Sequence, residues 1–415
     1  MIADHSASDH RPTVLHLSGD FPDCVSEQKT QVVKHLIELT NDQFNHHVVS
    51  INRISPSTGA LAQSLFRRGN LTVTSAPFIF GSAVSYTAPS RGLLHETFLL
   101  RLGRWLVRYI AQMDRRPDLI VGHKLAIEGI AVREAARISG IPYALSIQGD
   151  SDTKIMDVRR DLKRTLTEVF YGASFTFPFS KWGWDRVVQR LGDPPAPHAI
   201  LPCPTELDQP VAPRITGAGL VSVFHLNSYR RKNFATLAQA MAILDSDGTD
   251  MIGLDVVGGG DAGPTRSCER IASKTDTIRL KGAKDRSQVQ YALNRASAFV
   301  LPSRRETFGL VFVEALFAGT PIIYPAGTAV DGLFDHFPFA LRVPAKDPRA
   351  IAEAIRSAVR NEATLKAQIA SWHSSDHAKQ FQRKAIAETF AAGLQRAMIR
   401  PIGVATGLVD RQVSK

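Results

Sequence analysis

Two glutamates, Glu306 and Glu314, are the residues whose type and spacing are best suited to chemistry. A strand predicted over Ala298–Leu301 precedes Glu306, and the apolar run that follows predicts a helix beginning near Phe308. Glu314 is the only charged residue in that run, so its carboxylate needs a partner, which could be a ligand. At about 1.5 Å of rise per residue, the two carboxylates would lie roughly 12 Å apart.

The N-terminus of this predicted helix would lie between the two carboxylates. Its free amide groups and its dipole favour a phosphate. The segment would therefore present three groups in order: a carboxylate that accepts hydrogen bonds from hydroxyls, an anion site, and a second such carboxylate. A nucleotide sugar has the matching order of sugar hydroxyls, diphosphate and ribose hydroxyls. The alternative is structural: Glu314 caps a neighbouring strand or pairs with a core arginine, and Glu306 is a solvated loop charge.

Composition limits the classes of protein that this chain can be. Its 415 residues exceed what one core supports, so two domains are expected, and 44% apolar with 21% charged residues is typical of globular proteins. The separated Cys24, Cys203 and Cys268 indicate neither zinc nor disulfides. Met1–Pro12 lacks signal-peptide features, and no apolar run reaches the roughly 18 residues that span a bilayer. We therefore expect a reduced, cytoplasmic protein.

The elements that must position the glutamates are short β-rich runs alternating with helical stretches, which predicts an α/β fold with two parallel sheets. Predicted strands of the first half are Thr13–Leu17, His47–Asn52, Leu119–His123, Ala144–Gln148 and Phe175–Phe179. Those of the second half are Leu220–Leu226, Leu254–Val257, Thr277–Leu280, Ala298–Leu301 and Pro321–Tyr324. Ligands of such sheets bind outside the carboxyl ends of the strands, so we expect the site in a cleft between the domains.

A proline-rich segment, Asp193–Gly219, indicates a linker, and it places the domain boundary near residue 208. The predicted division is a first domain over residues 1–207, a second over residues 208–375, a C-terminal helix over residues 376–400 that packs back on the first domain, and a flexible tail over residues 401–415.

The residues around the glutamate pair resemble the E-x7-E signature of the retaining glycosyltransferases of family 4. The matching residues are Pro302-Ser303, Phe308-Gly309 and the run from Glu314 to Pro321. The resemblance is strong over Val221–Tyr324 and weaker in the first half of the chain. It implies the GT-B architecture, two Rossmann-like domains whose parallel sheets face each other across a central cleft. It also implies that Glu306 holds the donor sugar and Glu314 the ribose.

A diphosphate leaving group gains negative charge, so a fixed cation should stand beside it. Lys232, which follows the strand Leu220–Leu226, is the first candidate. The family usually has an arginine where this chain has Asn227, and Arg231 or Arg230 could replace it. The turn Gly258–Gly263 also fits a dinucleotide motif or a plain strand-end turn. The resemblance implies the donor-binding residues Glu314, Arg231, Phe308, Gly309, Leu310, Gly259 and Lys281.

On the acceptor side, Gln148 stands where relatives often carry a histidine. Glutamine can orient a hydroxyl but cannot accept a proton, and in the family the leaving phosphate is thought to help deprotonate the acceptor. Candidate acceptor contacts are Asp20, Lys29, His123 and Asp150, although a lone strand-end histidine such as His123 is more often structural. The amphipathic stretch Leu99–Met113 could dock on anionic lipid or be an ordinary surface helix.

Together these features predict a hexosyltransferase-type enzyme that uses a nucleotide-sugar donor. The resemblance to family 4 alone implies that the acceptor is a glycan or a lipid-linked molecule, in bacterial surface polysaccharide synthesis. The predicted catalytic residues are Glu306, Lys232 and Gln148, with neither metal nor cofactor. An acceptor linked to lipid would bring the enzyme into peripheral contact with the inner face of the cell membrane. The alternatives are a GT-B epimerase or phosphorylase, or a basic nucleic-acid-binding protein suggested by the net charge of +11. No nucleic-acid-binding motif supports the last alternative, so no nucleic acid is expected.

Overall fold

A computed structural model describes residues 11–55, 71–89, 92–246 and 252–399 of the chain. It divides into two compact units. The first comprises the residues up to Phe179, Gly183–Leu201 and the residues from Ala387, and the second comprises Ser180–Trp182 and Pro202–Ile386. The division at residue 202 lies six residues before the one that the sequence predicted, and the predicted tail over residues 401–415 lies outside the described residues.

The first unit contains a seven-stranded sheet with the strand order β3-β4-β2-β1-β5-β6-β7. All neighbouring strands are parallel except β3 and β4. The strands are β1 Thr13–Ser18, β2 Asn45–Ile54, β3 Val73–Phe78, β4 Gly81–Thr87, β5 Leu119–Gly122, β6 Tyr143–Ile147 and β7 Phe175–Pro178. Every residue of β1, β5, β6 and β7 is buried, as expected of parallel strands covered by helices on both faces.

Within the described ranges, six α-helices lie before Leu201, the last residue of the first unit's second segment. They are α1 Val32–Glu38, α2 His95–Ile110, α3 Glu128–Ser139, α4 Asp150–Val158, α5 Lys163–Gly172 and α6 Lys181–Leu191. The main core of the unit lies between the sheet and these helices, and it includes Leu102 of α2, Val132 of α3 and Leu166 of α5. The core therefore fixes the carboxyl ends of the central strands.

The second unit contains a six-stranded, fully parallel sheet with the order β10-β9-β8-β11-β12-β13. Its strands are β8 Leu220–Val223, β9 Leu254–Val257, β10 Ile278–Leu280, β11 Ala298–Val300, β12 Ile322–Pro325 and β13 Ala340–Val343. The strand order reverses between β8 and β11, and the carboxyl ends at such a reversal are where open α/β sheets bind ligands. The predicted α/β class with two parallel-sheet domains is confirmed.

The helices of the second unit follow its strands and end in a helical C-terminal segment. They are α7 Phe234–Ser246, α8 Ala262–Ala272, α9 Arg286–Arg295, α10 Leu310–Phe317, α11 Pro348–Arg360, α12 Glu362–Trp372, α13 Asp376–Lys379 and α14 Arg383–Ile399. Over residues 376–400 the sequence predicted one helix, where the structure has α13 and α14. From Ala387 onward α14 belongs to the first unit, where the ring of Phe390 lies 5.2 Å from that of Phe177.

No helix in the described ranges is both long enough and apolar enough to cross a bilayer. The stretch predicted as an amphipathic helix over Leu99–Met113 is α2, which begins earlier, at His95, and ends at Ile110. Phe98, Leu102 and Leu106 of α2 are buried in the core of the first unit.

Candidate functional site

Lys232 and Glu306 form an ion pair at the strand-order reversal of the second sheet. The distance from Lys232 Nζ to Glu306 Oε1 is 2.7 Å, and the two side chains are only 14% and 8% exposed. Lys232 follows β8 and Glu306 follows β11, the two neighbouring strands at which the order reverses. The structure thus brings together two of the three residues predicted to be catalytic.

Asn233 determines where Lys232 lies. It is 1% exposed and has a left-handed backbone, with φ of 60°, a conformation that asparagine tolerates better than most residues. Its side-chain amide donates to the carbonyl of Pro302 at 3.0 Å and to that of Ala345 at 2.5 Å. Asn233 therefore ties the loop after β8 to the loops after β11 and β13. An asparagine directly before an apolar helix was the sequence signal for such a role.

Glu314 lies in α10 and is half-buried. Its Oε1 accepts a hydrogen bond from the hydroxyl of Thr205 at 2.6 Å. Burial raises the pKa of Glu314, although the Thr205 bond and the nearby charge of Arg286 act in the opposite direction. The need of this carboxylate for a partner, inferred from the sequence, is met in part by Thr205. Nothing in the local sequence pointed to Thr205, because 109 residues separate the two.

Helix α10 begins at Leu310, later than the predicted start near Phe308. Gly309 precedes it with φ of 83°, and a Cβ there would lie 2.7 Å from Val330 and 2.8 Å from Phe312. Phe308 is 3% exposed and packs against Phe381, so its side chain belongs to the core. Of the predicted donor-binding residues in this loop, Gly309 and Leu310 thus lie at the helix N-terminus and Phe308 leaves only its backbone for a ligand.

Asn227, at the position where the family usually has an arginine, is bonded to the glycine turn. Its Nδ2 donates to Asp261 Oδ2 at 2.8 Å, and its Oδ1 accepts from the backbone N–H of Asp261 at 2.8 Å. The carbonyl of Gly259 accepts from the N–H of Leu226 at 2.8 Å. A Cβ on Gly258 would lie 1.9 Å from the carbonyl oxygen of Phe224. The turn containing Gly259 is therefore packed tightly against the segment that follows β8.

Two further predicted donor-binding residues are partly accessible. Arg231 is exposed, and its guanidinium donates to the hydroxyl of Ser228 at 3.3 Å. Lys281 follows β10 and lies 3.5 Å from Asp255, with the two side chains 38% and 35% exposed. Both lie beyond carboxyl ends of the strands on the β8 side of the reversal.

In the first unit, Asp20 and Lys124 follow β1 and β5, the strands between which the order reverses. Asp20 Oδ2 lies 2.6 Å from Lys124 Nζ. Lys29 instead pairs with Asp23 at 2.8 Å. Burial would raise the pKa of Asp23, but hydrogen bonds from Lys29, Ser50 and Asn52 lower it to about 2. Lys29 thus holds its own loop, and Asp20 is the better placed of the two predicted acceptor residues.

His123 is fully buried in a row of histidines that crosses the sheet. Its Nε2 lies 2.9 Å from His16 Nδ1, and His16 Nε2 lies 2.8 Å from His46 Nδ1. The row ends at the hydroxyl of Ser146, 3.3 Å from His123, and at that of Thr40, 2.9 Å from His46. Thr40 donates its own proton to the carbonyl of Leu36, so its oxygen accepts from Nε2 of His46. Every hydrogen bond of the row then has the same direction, and each histidine donates from Nε2 and accepts at Nδ1. This is the structural role that the sequence offered as the alternative for His123.

Burial keeps all three histidines neutral. It lowers the pKa of His123 to about 3 and that of His46 to about 4, and it lowers the pKa of His16 as well. Neighbouring positive charges, from Lys124 for His123 and from Arg11 for His46, act in the same direction.

Gln148 is 5% exposed at the end of β6. Gly149 follows with φ of 88°, and α4 then begins at Asp150, which is half-buried. Asp152 in the first turn of α4 is fully buried, and its Oδ1 accepts from the N–H of Ala126 at 2.9 Å. Burial raises the pKa of Asp152 to about 6. Gln148 and Asp150 therefore lie at the same edge of the sheet as Asp20.

A cavity of about 310 Å³ opens at this edge of the first sheet, lined in part by Gly19, Tyr86, His95, Lys124 and Glu128. Glu128 is 1% exposed, and its Oε1 accepts from the N–H of Gly19 at 2.7 Å. Its Oε2 has no hydrogen-bond partner among the described residues. Burial raises the pKa of Glu128 to about 7, although the charge of Lys124 opposes this. Glu128 was not predicted from the sequence, where its signal was a charged residue between the apolar Ile127 and Ile130 at the start of α3.

Metal ligands were not expected from the sequence. Within the described ranges, the side chains of His, Cys, Asp and Glu do not form a group of three or more that could hold a metal ion. The absence of a metal requirement stays a prediction.

Comparison with known proteins connects this geometry to a family. Residues 217–372 match the family described as glycosyl transferases group 1. A phosphatidyl-myo-inositol mannosyltransferase of Mycobacterium leprae (strain TN) is 31% identical over 128 residues, which are 29% of this chain and span only 32% of that protein's length.

Solved structures resemble nearly the whole chain. A sucrose-phosphate synthase from Thermosynechococcus elongatus matches with a TM-score of 0.66 and 19% identity, covering 93% of this chain and 99% of its own. Anabaena Alr3699/HepE, solved with UDP and glucose, matches with a TM-score of 0.63 and 12% identity, covering 93% and 100%. A trehalose-phosphate synthase from Burkholderia xenovorans matches with a TM-score of 0.65 and 10% identity, covering 92% and 100%.

These structures confirm the GT-B fold that the sequence predicted. The family match covers the sheet that carries both Lys232 and Glu306. The match to the glycosyl transferases group 1 family extends over residues 217–372, which include every strand of the second sheet.

Proposed function

We propose that this chain is a retaining glycosyltransferase of family 4, of the hexosyltransferase type. It transfers a sugar from a nucleotide-sugar donor to a glycan or lipid-linked acceptor in the synthesis of a bacterial surface polysaccharide. The observation that carries the proposal is the nearly buried pair of Lys232 and Glu306 at the strand-order reversal of the sheet that matches the group 1 family. No structural need is evident for two opposite charges held there, since a buried pair contributes little net stability.

In this proposal the second unit binds the donor. Glu306 accepts hydrogen bonds from the sugar hydroxyls, Glu314 accepts them from the ribose, and the amide groups at Gly309 and Leu310 face the diphosphate. Lys232 offsets the charge that grows on the leaving phosphate as the glycosidic bond breaks. Arg231, Gly259 and Lys281 line the nucleotide side of the same strand ends.

The first unit binds the acceptor. Its cavity combines apolar walls with a few polar groups, as small-molecule sites do, and it contains a carboxyl group, Glu128, with an oxygen that lacks a partner. Asp20 and Lys124 lie at the same strand ends. Gln148 orients a hydroxyl without accepting its proton, which passes to the leaving phosphate. Transfer on the front face of the sugar then retains the anomeric configuration.

The acceptor class rests on analogy. The M. leprae relative is by name a mannosyltransferase of phosphatidyl-myo-inositol, and the B. xenovorans structure contains glucose-6-phosphate. These names support the proposal that the acceptor molecule contains both a reactive hydroxyl and a phosphate group, as lipid-linked acceptors do. The proposal places the chain in the cytoplasm, at the inner face of the membrane, and requires neither metal nor cofactor.

The test is a binding and slow-hydrolysis panel of UDP-, GDP- and ADP-sugars with the wild type, Glu314→Ala and Glu306→Gln. One donor is expected to bind; Glu314→Ala weakens its affinity by about tenfold, whereas Glu306→Gln lowers turnover by about 100-fold with little change in affinity. Glu269→Gln on the exposed face of α8 is the matched control and leaves both unchanged. EDTA leaves turnover unchanged. If no nucleotide sugar binds the wild type, the proposal is wrong.

A further inference from the structure

The diphosphate site proposed above has one assigned cation, Lys232, for two linked phosphate groups. The neutral Asn227 occupies the position where the family usually has a second cation, and both polar ends of its side chain are bonded to Asp261. A single ammonium leaves much of the charge of a diphosphate without a fixed counterion, and fixed cations are what stabilise such a leaving group. A second cation should therefore come from another part of the site.

The two arginines next to Lys232 in the sequence are held by their own loop. The guanidinium of Arg230 lies over the ring of Tyr229, 5.5 Å from its centroid, and its Nε donates to the Tyr229 hydroxyl at 3.0 Å. Arg231 donates to the hydroxyl of Ser228 at 3.3 Å. Both contacts are local and fix these side chains near Ser228 and Tyr229, before Lys232 in the chain.

Arg304 is anchored differently, to residues on both sides of Lys232. Its backbone N–H donates to the carbonyl of Arg231 at 2.9 Å, and its Nε donates to Oδ1 of Asn233 at 3.1 Å. It stands two residues before Glu306, whose carboxylate contacts Lys232. The loop after β11 thus brings a second permanent positive charge to the segment Arg231–Asn233, which contains Lys232.

Several properties suit Arg304 to this role. Its side chain is exposed. Among the described residues, the guanidinium of Arg304 has one hydrogen-bond partner, which its Nε contacts, so both of its terminal amino groups remain for a ligand. A guanidinium presents these donors in a plane that matches two phosphate oxygens, and it stays charged at every physiological pH. The bond to the buried Asn233 holds the base of the guanidinium in place.

We propose that Arg304 is the second cation of the diphosphate site and replaces, from the loop after β11, the cation that Asn227 does not supply. The inference rests on the proposed function and names the residue that binds the phosphate nearer to the sugar. That phosphate is the expected partner because Arg304 lies two residues from Glu306, the residue assigned to the sugar.

The test compares affinities of full-length variants for nucleoside diphosphates and monophosphates. Titrations with UDP, GDP and ADP first identify the base that the wild type binds, and the corresponding monophosphate then serves as the second ligand. Arg304→Ala is expected to weaken binding of the diphosphate by about 10- to 100-fold, but binding of the monophosphate by less than about threefold. Arg304→Lys, which keeps the charge, recovers part of the loss.

Arg270→Ala is the charge-matched control, since it removes an exposed arginine from the last turn of α8, in the same unit. It is expected to change neither affinity by more than about twofold, and thermal unfolding checks that all variants fold. If Arg304→Ala behaves like this control, or if Arg231→Ala alone causes the diphosphate-specific loss, the assignment of Arg304 is overturned and the proposed function is unaffected. If the wild type binds no nucleoside diphosphate, both fail.

Discussion

The histidine row of the first unit predicts a measurable dependence of stability on pH. A histidine whose folded-state pKa is lowered is neutral in the folded protein and gains its proton only on unfolding. Its contribution to stability is therefore complete above the unfolded pKa of about 6.5 and is lost as the pH falls toward the folded value. For His123, with a folded pKa of about 3, the loss between pH 7 and pH 5 is about 2 kcal/mol.

His46 has a folded pKa of about 4 and loses about the same amount over this range. The carboxyl groups of Glu128 and Asp152 act in the opposite direction, because their pKa values are raised to about 7 and about 6. They stabilise the fold as the pH falls, by roughly 2 and 1 kcal/mol respectively. The change in the stability of the wild type between pH 7 and pH 5 is consequently a small difference between opposing contributions. A variant that lacks one histidine is needed to isolate the contribution of that histidine.

The informative variant is His123→Gln, whose amide can still donate toward His16 but does not titrate. The quantity to compare is the change in the free energy of opening of the first unit between pH 7 and pH 5. In the variant we expect this free energy to decrease by about 2 kcal/mol less than in the wild type. Hydrogen-exchange mass spectrometry of peptides covering β1 and β5, corrected for intrinsic exchange rates at each pH, measures this quantity. Equal pH slopes for the two proteins would refute the conclusion that His123 is neutral in the fold.

Two further predictions concern the second unit. Gly258→Ala is expected to weaken nucleotide-sugar binding by at least about tenfold, because the new Cβ would lie 1.9 Å from the carbonyl oxygen of Phe224. Gly263→Ala is the control, since a Cβ there would have no atom within 4 Å. Calorimetric titrations measure both affinities. Asn233→Ala is expected to cost roughly 2 kcal/mol of stability and to lower donor turnover, since it removes bonds to Pro302 and Ala345; normal turnover in this variant would show that Lys232 needs no such support.

The strands that the sequence predicted well are those buried on both faces. Leu254–Val257 was predicted with its observed bounds, because a short apolar run between turn residues is typical of a central parallel strand. Strands β3, β4 and β13 were not predicted. Strand β3 contains Pro77 and the two exposed polar residues Thr74 and Ser75, and β13 contains the charged Arg342, so neither shows a continuous apolar run. Their pairing depends on neighbours that the local sequence does not reveal.

In the candidate site, the residues of the motif could be predicted from the sequence, whereas the residues that hold them in place could not. Glu306 and Glu314 were found because their spacing lies within one loop and one helix, where local geometry is predictable. Thr205 and Asn233 reach their partners across 109 and 69 residues, so only the folded chain shows them. His123 looked like a strand-end polar residue, and its place in a buried row depended on His16 and His46 of other strands.

The ion pair of Lys232 and Glu306 has a consequence for the order of events at the proposed site. In the structure each charge is the counterion of the other, so the pair is neutral. Binding of a nucleotide sugar is then an exchange of partners, in which the phosphate takes the ammonium and the sugar hydroxyls take the carboxylate. Once the sugar has left, Glu306 has lost its new partner while Lys232 keeps the phosphate. Re-formation of the original pair then favours departure of the nucleotide, so the resting contact also helps to empty the site after each turnover.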